Sequence, residues 1–133
     1  MLAQAPSLLI TDDDREFRET LQGVFESRGF RTIGAGDGQE AVEIVRRQEV
    51  HLLLLDMHMP RLTGLETLRV VKQLKSRLPC ILLSAALDEA MVRAALLAQA
   101  FTVLAKPVSC VQLTSIVEGL MRSTYDWPPR RAI

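Results

Sequence analysis

Along the chain, short runs of consecutive apolar residues alternate with longer stretches in which apolar residues recur every three or four positions. The runs Leu8-Leu9-Ile10, Phe30 to Ile33, Leu52 to Leu55, Ile81 to Leu83 and Phe101 to Leu104 have strand length and predict five β-strands. Phe17, Leu21, Val24 and Phe25 keep the spacing of a helix face, and Gly29 stands where that helix would stop. Asp37 with Glu40, and Thr63 with Glu66, form capping-box patterns ahead of apolar-periodic stretches, so a second and a third helix start there. A fourth is predicted over 87–100, and Ser109 stands as the cap of a fifth that carries Leu113, Ile116, Val117, Leu120 and Met121 on one face.

Strict alternation of strands and helices with short connections implies an α/β fold, in which a parallel sheet is covered by helices on both faces. Strands buried on both faces read as solid apolar runs, as these do. At 133 residues the chain has room for one domain with a substantial core, placed at 1–124, and 125–133 is expected to be a tail or linker stub. Sixteen basic residues balance sixteen acidic ones, which gives no hint of direct nucleic-acid binding or of an anionic membrane surface. Neither a membrane span nor a signal peptide is evident, so a cytoplasmic location is expected. Cys80 and Cys110 both lie beside apolar residues and are expected to be buried free thiols.

What ends each strand changes the picture, because ligands of open parallel sheets bind beyond the strands' carboxyl ends. The first strand ends in Asp12-Asp13-Asp14, the third in Asp56, the fourth in Ser84 and the fifth in Lys106-Pro107. Two carboxylates about 4 Å apart repel by roughly 4 kcal/mol at an effective dielectric near 20, so this cluster calls for a cation or a proton. Oxygen-only ligands favour a hard ion such as Mg²⁺ or Mn²⁺, and such an ion readily shares carboxylates with a phosphate. A lysine and a hydroxyl suit the remaining phosphoryl oxygens.

This set closely resembles the CheY-like receiver domain of two-component response regulators, over roughly residues 7–123. The resemblance rests on Leu8-Leu9-Ile10-Thr11-Asp12-Asp13-Asp14, Asp56-Met57-His58-Met59-Pro60 with Gly64, Ser84-Ala85 and Lys106-Pro107. It implies a (βα)5 sheet in the order 2-1-3-4-5 and a phosphoacceptor at Asp56. It further implies Mg²⁺ held by Asp12, Asp13, Asp56 and the backbone carbonyl of His58, a phosphate site at Ser84, Ala85 and Lys106, and a cis bond before Pro107. The implied partners are a sensor histidine kinase or phosphotransfer protein, and an output partner at the face made by the fourth helix, fifth strand and fifth helix.

The sequence also departs from that pattern. Val103 occupies the position, three before the lysine, where the family usually carries a switching aromatic residue, and Thr102 replaces an Asp used in one dimerising subfamily. The fourth helix carries few charges, so its Ala, Met and Leu residues offer an apolar docking surface. Asp14 is expected to cap the first helix. The His58 side chain, with no second His or Cys nearby, is expected to face solvent and leave only its backbone oxygen in use. Gly34 to Gly38 lacks dinucleotide-binding spacing and reads as a loop. A haloacid-dehalogenase-like phosphohydrolase would want a second Asp at position 58, where His stands. A phosphorylation-independent pseudo-receiver is the other alternative: Val103 favours it, and the full acidic set with Ser84 and Lys106 opposes it.

Overall fold

The computed structural model describes residue 2 and residues 4–129. Strands and helices alternate: β1 Ser7–Thr11, α1 Arg15–Glu26, β2 Arg31–Ala35, α2 Gly38–Arg47, β3 Leu52–Asp56, α3 Gly64–Leu74, β4 Cys80–Ser84, α4 Glu89–Leu97, β5 Thr102–Ala105 and α5 Cys110–Tyr125. All strands pair in parallel, in the order β2-β1-β3-β4-β5. The expected doubly wound α/β fold is therefore the one formed.

The four leucines of β3 divide between the two faces of the sheet, as the two-residue period of a strand requires. Leu53 and Leu55 join Leu9, Leu82, Ala41, Val45, Leu68 and Val71 in the layer under α2 and α3. Leu52 and Leu54 join Leu8, Ile10, Ile81, Leu83, Phe25, Leu113 and Val117 in the layer under α1 and α5. Each fully buried leucine contributes about 2 kcal/mol relative to an exposed one, which makes this central strand the anchor of the sheet.

Side-chain caps start the helices where the sequence placed them. Asp14 accepts from the Phe17 N–H, Asp37 from Glu40, and Ser109 from Gln112, while Thr63 and Glu66 complete a capping box. Gly29, after α1, has φ +93°, a conformation that glycine adopts without strain. Gly34 and Ala35 lie inside β2, and Gly38 opens α2, so the expected loop shrinks to the turn between them. Helix α4 is shorter than the 87–100 stretch predicted for it: Asp88 caps its start, and the chain leaves the helix at Ala98, with Gln99 in the left-handed region at φ 73°.

Two further expectations change. Cys80 is buried, and burial pushes its thiol up to about 12, but Cys110 is exposed. Cys110 and its neighbour Val111 begin α5 on its outward side, so apolar neighbours in sequence did not mean burial. At the other end, α5 runs through Tyr125, whose hydroxyl donates to the His51 carbonyl at 2.7 Å, and the Trp127 ring packs edge-on against Phe30 with centroids 4.9 Å apart. Part of the expected tail is thus packed on the body, while residues 130–133 lie outside the described residues.

Gly64 brings the start of α3 against the end of β3. Its N–H donates to the Met57 carbonyl at 3.0 Å, and a Cβ there would collide with the Asp56 carbonyl oxygen and lie 2.7 Å from Met57 Cα. Gly64→Ala is therefore expected to cost about 2 kcal/mol in urea unfolding, because backbone rather than a pliable side chain must yield. An unchanged midpoint would show that the two elements separate freely.

Candidate functional site: an acidic cluster at the carboxyl edge of the sheet

The site follows from strand register. Thr11 of β1 pairs with Leu55 of β3, so Asp12 comes level with Asp56, each the first acidic residue after its strand's apolar run. Ser84 of β4 pairs with Ala105 of β5, and the Lys106 N–H donates to the Ser84 carbonyl at 2.8 Å. Residues far apart in sequence thus meet at one rim without any special loop geometry.

Lys106 is the hub. Its Nζ lies 2.7 Å from Asp12 Oδ2 and 3.2 Å from Asp56 Oδ1, and it sits over the Phe17 ring, 4.4 Å from the centroid. The other carboxylate oxygen of Asp12, Oδ1, accepts from the Asp14 N–H at 2.9 Å, and the Arg18 guanidinium donates to the Asp12 carbonyl at 2.6 Å. Asp12 and Asp56 are only 2% and 5% exposed, whereas Asp13 is exposed. The Lys106–Pro107 bond is cis.

Electrostatics match this crowding. Burial raises the Asp56 carboxyl above the ordinary carboxylate range, and the negative charge of Asp12 raises it further; the Lys106 ammonium and the His58 backbone N–H pull it back only in part. Burial alone would lower the Lys106 ammonium, but its hydrogen bond and charge interaction with Asp12, joined by those with Asp56, leave it above the usual lysine value. The cluster therefore holds more negative charge than its one lysine comfortably offsets. Ligand oxygens of Asp12, Asp13 and Asp56 lie within 4.8 Å of one another, and an oxygen-only set with excess negative charge fits a hard divalent cation.

The remaining predicted residues take different positions. Ser84 is fully buried, and its hydroxyl donates to the Ala86 carbonyl at 2.8 Å and accepts from the Ala86 N–H at 3.2 Å. Ala85 is exposed just beyond β4. Val103 is partly buried in the layer that also contains α3 and α4, while Phe101, two residues earlier, is 55% exposed. His58 is exposed, as expected, yet its side chain is not idle: Nε2 lies 3.1 Å from Ser84 Oγ. Sequence reasoning missed this contact, and it also missed Phe17, counted only as part of a helix face, and Arg18, which it did not single out. Their place in the first turn of α1, directly after the acidic run, was the available signal.

Comparison with known proteins agrees with this geometry. Residues 8–118 match the family model described as the response regulator receiver domain. Response regulator RR06 of Streptococcus pneumoniae serotype 2 is 34% identical over 119 residues, covering 90% of this chain and 54% of that protein. Response regulator MprA of Mycobacterium leprae is 37% identical over 117 residues, covering 88% of this chain and 51% of that protein. The chain spans about half the length of these curated relatives. Among solved structures, the receiver domain of the Francisella response regulator 1452 has a TM-score of 0.84 at 28% identity, covering 90% of this chain and 98% of that one. A CheX-CheY-BeF3-Mg complex from Borrelia burgdorferi matches with a TM-score of 0.84 at 27% identity, covering 89% of this chain and 90% of that one. With the family model matching through all five strands and every acid at the rim, the chain belongs to the receiver domains of two-component response regulators.

Proposed function

We propose that Asp56 accepts a phosphoryl group from the phosphohistidine of a partner kinase or phosphotransfer protein. The supporting observation is a nearly buried carboxylate 3.2 Å from a lysine ammonium, with the two further acids of the cation-fitting cluster beside it. An Asp56 carboxylate oxygen attacks phosphorus in line, the P–N bond breaks, and its electron pair stays on the imidazole nitrogen, which takes a proton from solvent. Lys106 keeps Asp56 ionised for the attack and then faces the charge on the transferred group. Asp12, Asp13, Asp56 and the His58 backbone carbonyl would hold Mg²⁺ or Mn²⁺, which when bound supplies charge neutralisation for the phosphoryl oxygens.

Ser84 and the Ala85 N–H are the remaining donors for the phosphoryl group, at the start of the loop leading to α4. Capturing a phosphoryl oxygen there would draw that loop inward and bias the face made by α4, β5 and α5. Leu96 on α4 and Val111 on α5 are exposed, as are Leu87 just before α4 and Phe101 just before β5, which suits an apolar contact with an output partner. With Val103 in place of an aromatic residue, the readout runs through the loop rather than through a ring turning beneath it. Attack of water on the acyl phosphate resets the switch without a further catalytic group, so the domain catalyses only its own modification. Among the described residues no helix is long and apolar enough to cross a membrane, and a cytoplasmic place beside a kinase's soluble portion fits this role.

The test is to incubate the protein with Mg²⁺ and acetyl phosphate, then locate the adduct by mass spectrometry of borohydride-trapped peptides. Modification at Asp56 is expected, and an unmodified Asp56 with intact fold would sink the proposal.

A further inference from the structure

The side chain of His58 has no task in this reading, although it touches a residue that does. The Ser84 hydroxyl has a single proton and three hydrogen-bond contacts: the Ala86 carbonyl at 2.8 Å, the Ala86 N–H at 3.2 Å and His58 Nε2 at 3.1 Å. If the hydroxyl proton lies on the Ala86 carbonyl, the imidazole must donate from Nε2. In the other tautomer, the hydroxyl proton lies on Nε2 itself. In either arrangement the proton is committed to its own loop or to the imidazole, and none of these bonds reaches Asp56 or Lys106. Of the three contacts, only the one to His58 crosses between loops, tying the loop after β3 to the loop after β4.

We infer that His58 is a positioning residue for Ser84: its imidazole holds the hydroxyl and the loop after β4 in the unphosphorylated arrangement, and so sets how strongly phosphorylation must pull to switch them. This inference rests on Asp56 being the phosphoacceptor. A side chain at position 58 that cannot hydrogen-bond leaves Ser84 with contacts to Ala86 alone. The loop then moves inward at lower occupancy of the site, because one bond specific to the resting state is gone.

The experiment titrates the protein with beryllofluoride in Mg²⁺, a phosphoryl mimic that coordinates a carboxylate, and follows the amide NMR signals of Ala85 and Ala86. His58→Ala is expected to reach half-conversion at about five-fold lower beryllofluoride than the wild type, the weight of one ordinary hydrogen bond. His58→Gln, which keeps a hydrogen-bonding group at similar reach, is expected to return toward the wild-type midpoint. In a Ser84→Ala background His58→Ala is expected to shift nothing, a result that a merely structural role for His58 would not produce. Equal midpoints for the wild type and His58→Ala, or a His58 effect that persists without the Ser84 hydroxyl, would overturn the inference while leaving Asp56 as acceptor. A wild type that does not respond to beryllofluoride at all overturns both readings.

Discussion

Asp56→Asn is expected to abolish the phosphoryl adduct completely and, at the same time, to make the metal-free protein more stable at neutral pH. The first effect follows from chemistry: an amide oxygen is a poor nucleophile and its acylphosphate analogue does not persist. The second follows from burial. Asp56 titrates above its ordinary value of 3.8 because burial disfavours its charge and Asp12 adds repulsion. A carboxyl with a raised folded-state pKa contributes stability below the unfolded value and loses it as pH rises through the folded value. At pH 7 the ionised Asp56 is therefore a strain on the fold, which asparagine relieves, and the gap between the proteins narrows as acid protonates the wild-type residue. Urea unfolding at several pH values checks the second effect, and mass spectrometry after acetyl phosphate treatment checks the first. Labelling that survives the substitution would place the acceptor elsewhere, and a variant less stable than the wild type at pH 7 would mean that Lys106 more than offsets the burial of Asp56.

The pairing of a lost adduct with a gained stability reflects what the sequence made visible. Leu52 to Leu55 has strand length and reads as a strand buried on both faces, and the acid that follows it had no apolar role, so the fold and the proposed acceptor were legible together. Strand ends are legible in a parallel sheet because its topology brings every carboxyl end to one rim, whatever the sequence separation. Contacts between loops do not follow from periodicity. The His58 imidazole reaches Ser84 from the loop after β3, and the cation–π contact of Phe17 with Lys106 depends on the lysine reaching from the end of β5 along the rim to α1, which packs on β1 and β2. Cys110 shows the same limit from the other side, since local hydrophobicity cannot say which way the first turn of a helix faces. Trp127 packs on Phe30 for a reason no local pattern encodes: the end of α5 and the start of β2 meet only in the folded chain. The caps of α1, α2, α3 and α5, whose partners lie three positions away, were by contrast placed correctly from sequence alone, and only that of α4 was not.

Lys106→Met is expected to produce the largest loss of stability at this rim, about 4 kcal/mol at pH 7. Methionine keeps the length and much of the packing of the lysine stem but removes the ammonium that lies 2.7 Å from Asp12 and 3.2 Å from Asp56. Both carboxylates then remain nearly buried with no cation between them, and most of the cost is the penalty for leaving those charges unpaired. The pH dependence separates this cause from a packing defect. Lys106 titrates above its ordinary 10.5, because Asp12 and Asp56 together outweigh the effect of burial, so its contribution is fully present below that value and fades only as strong alkali deprotonates it. In the variant, Asp56 loses the charge that partly held its pKa down, so it takes up a proton more readily. The difference in stability should thus be greatest near neutrality, narrow as acid protonates Asp56, and narrow again above pH 10.5, whereas a packing defect would be constant across the range. Adduct formation should slow by about a hundred-fold in the same variant, since the developing charge on the transferred phosphoryl group loses a fixed counter-charge. A Lys106→Met protein as stable as the wild type at pH 7 would show that Asp12 and Asp56 tolerate each other without the lysine, and the electrostatic account of this site would have to be abandoned.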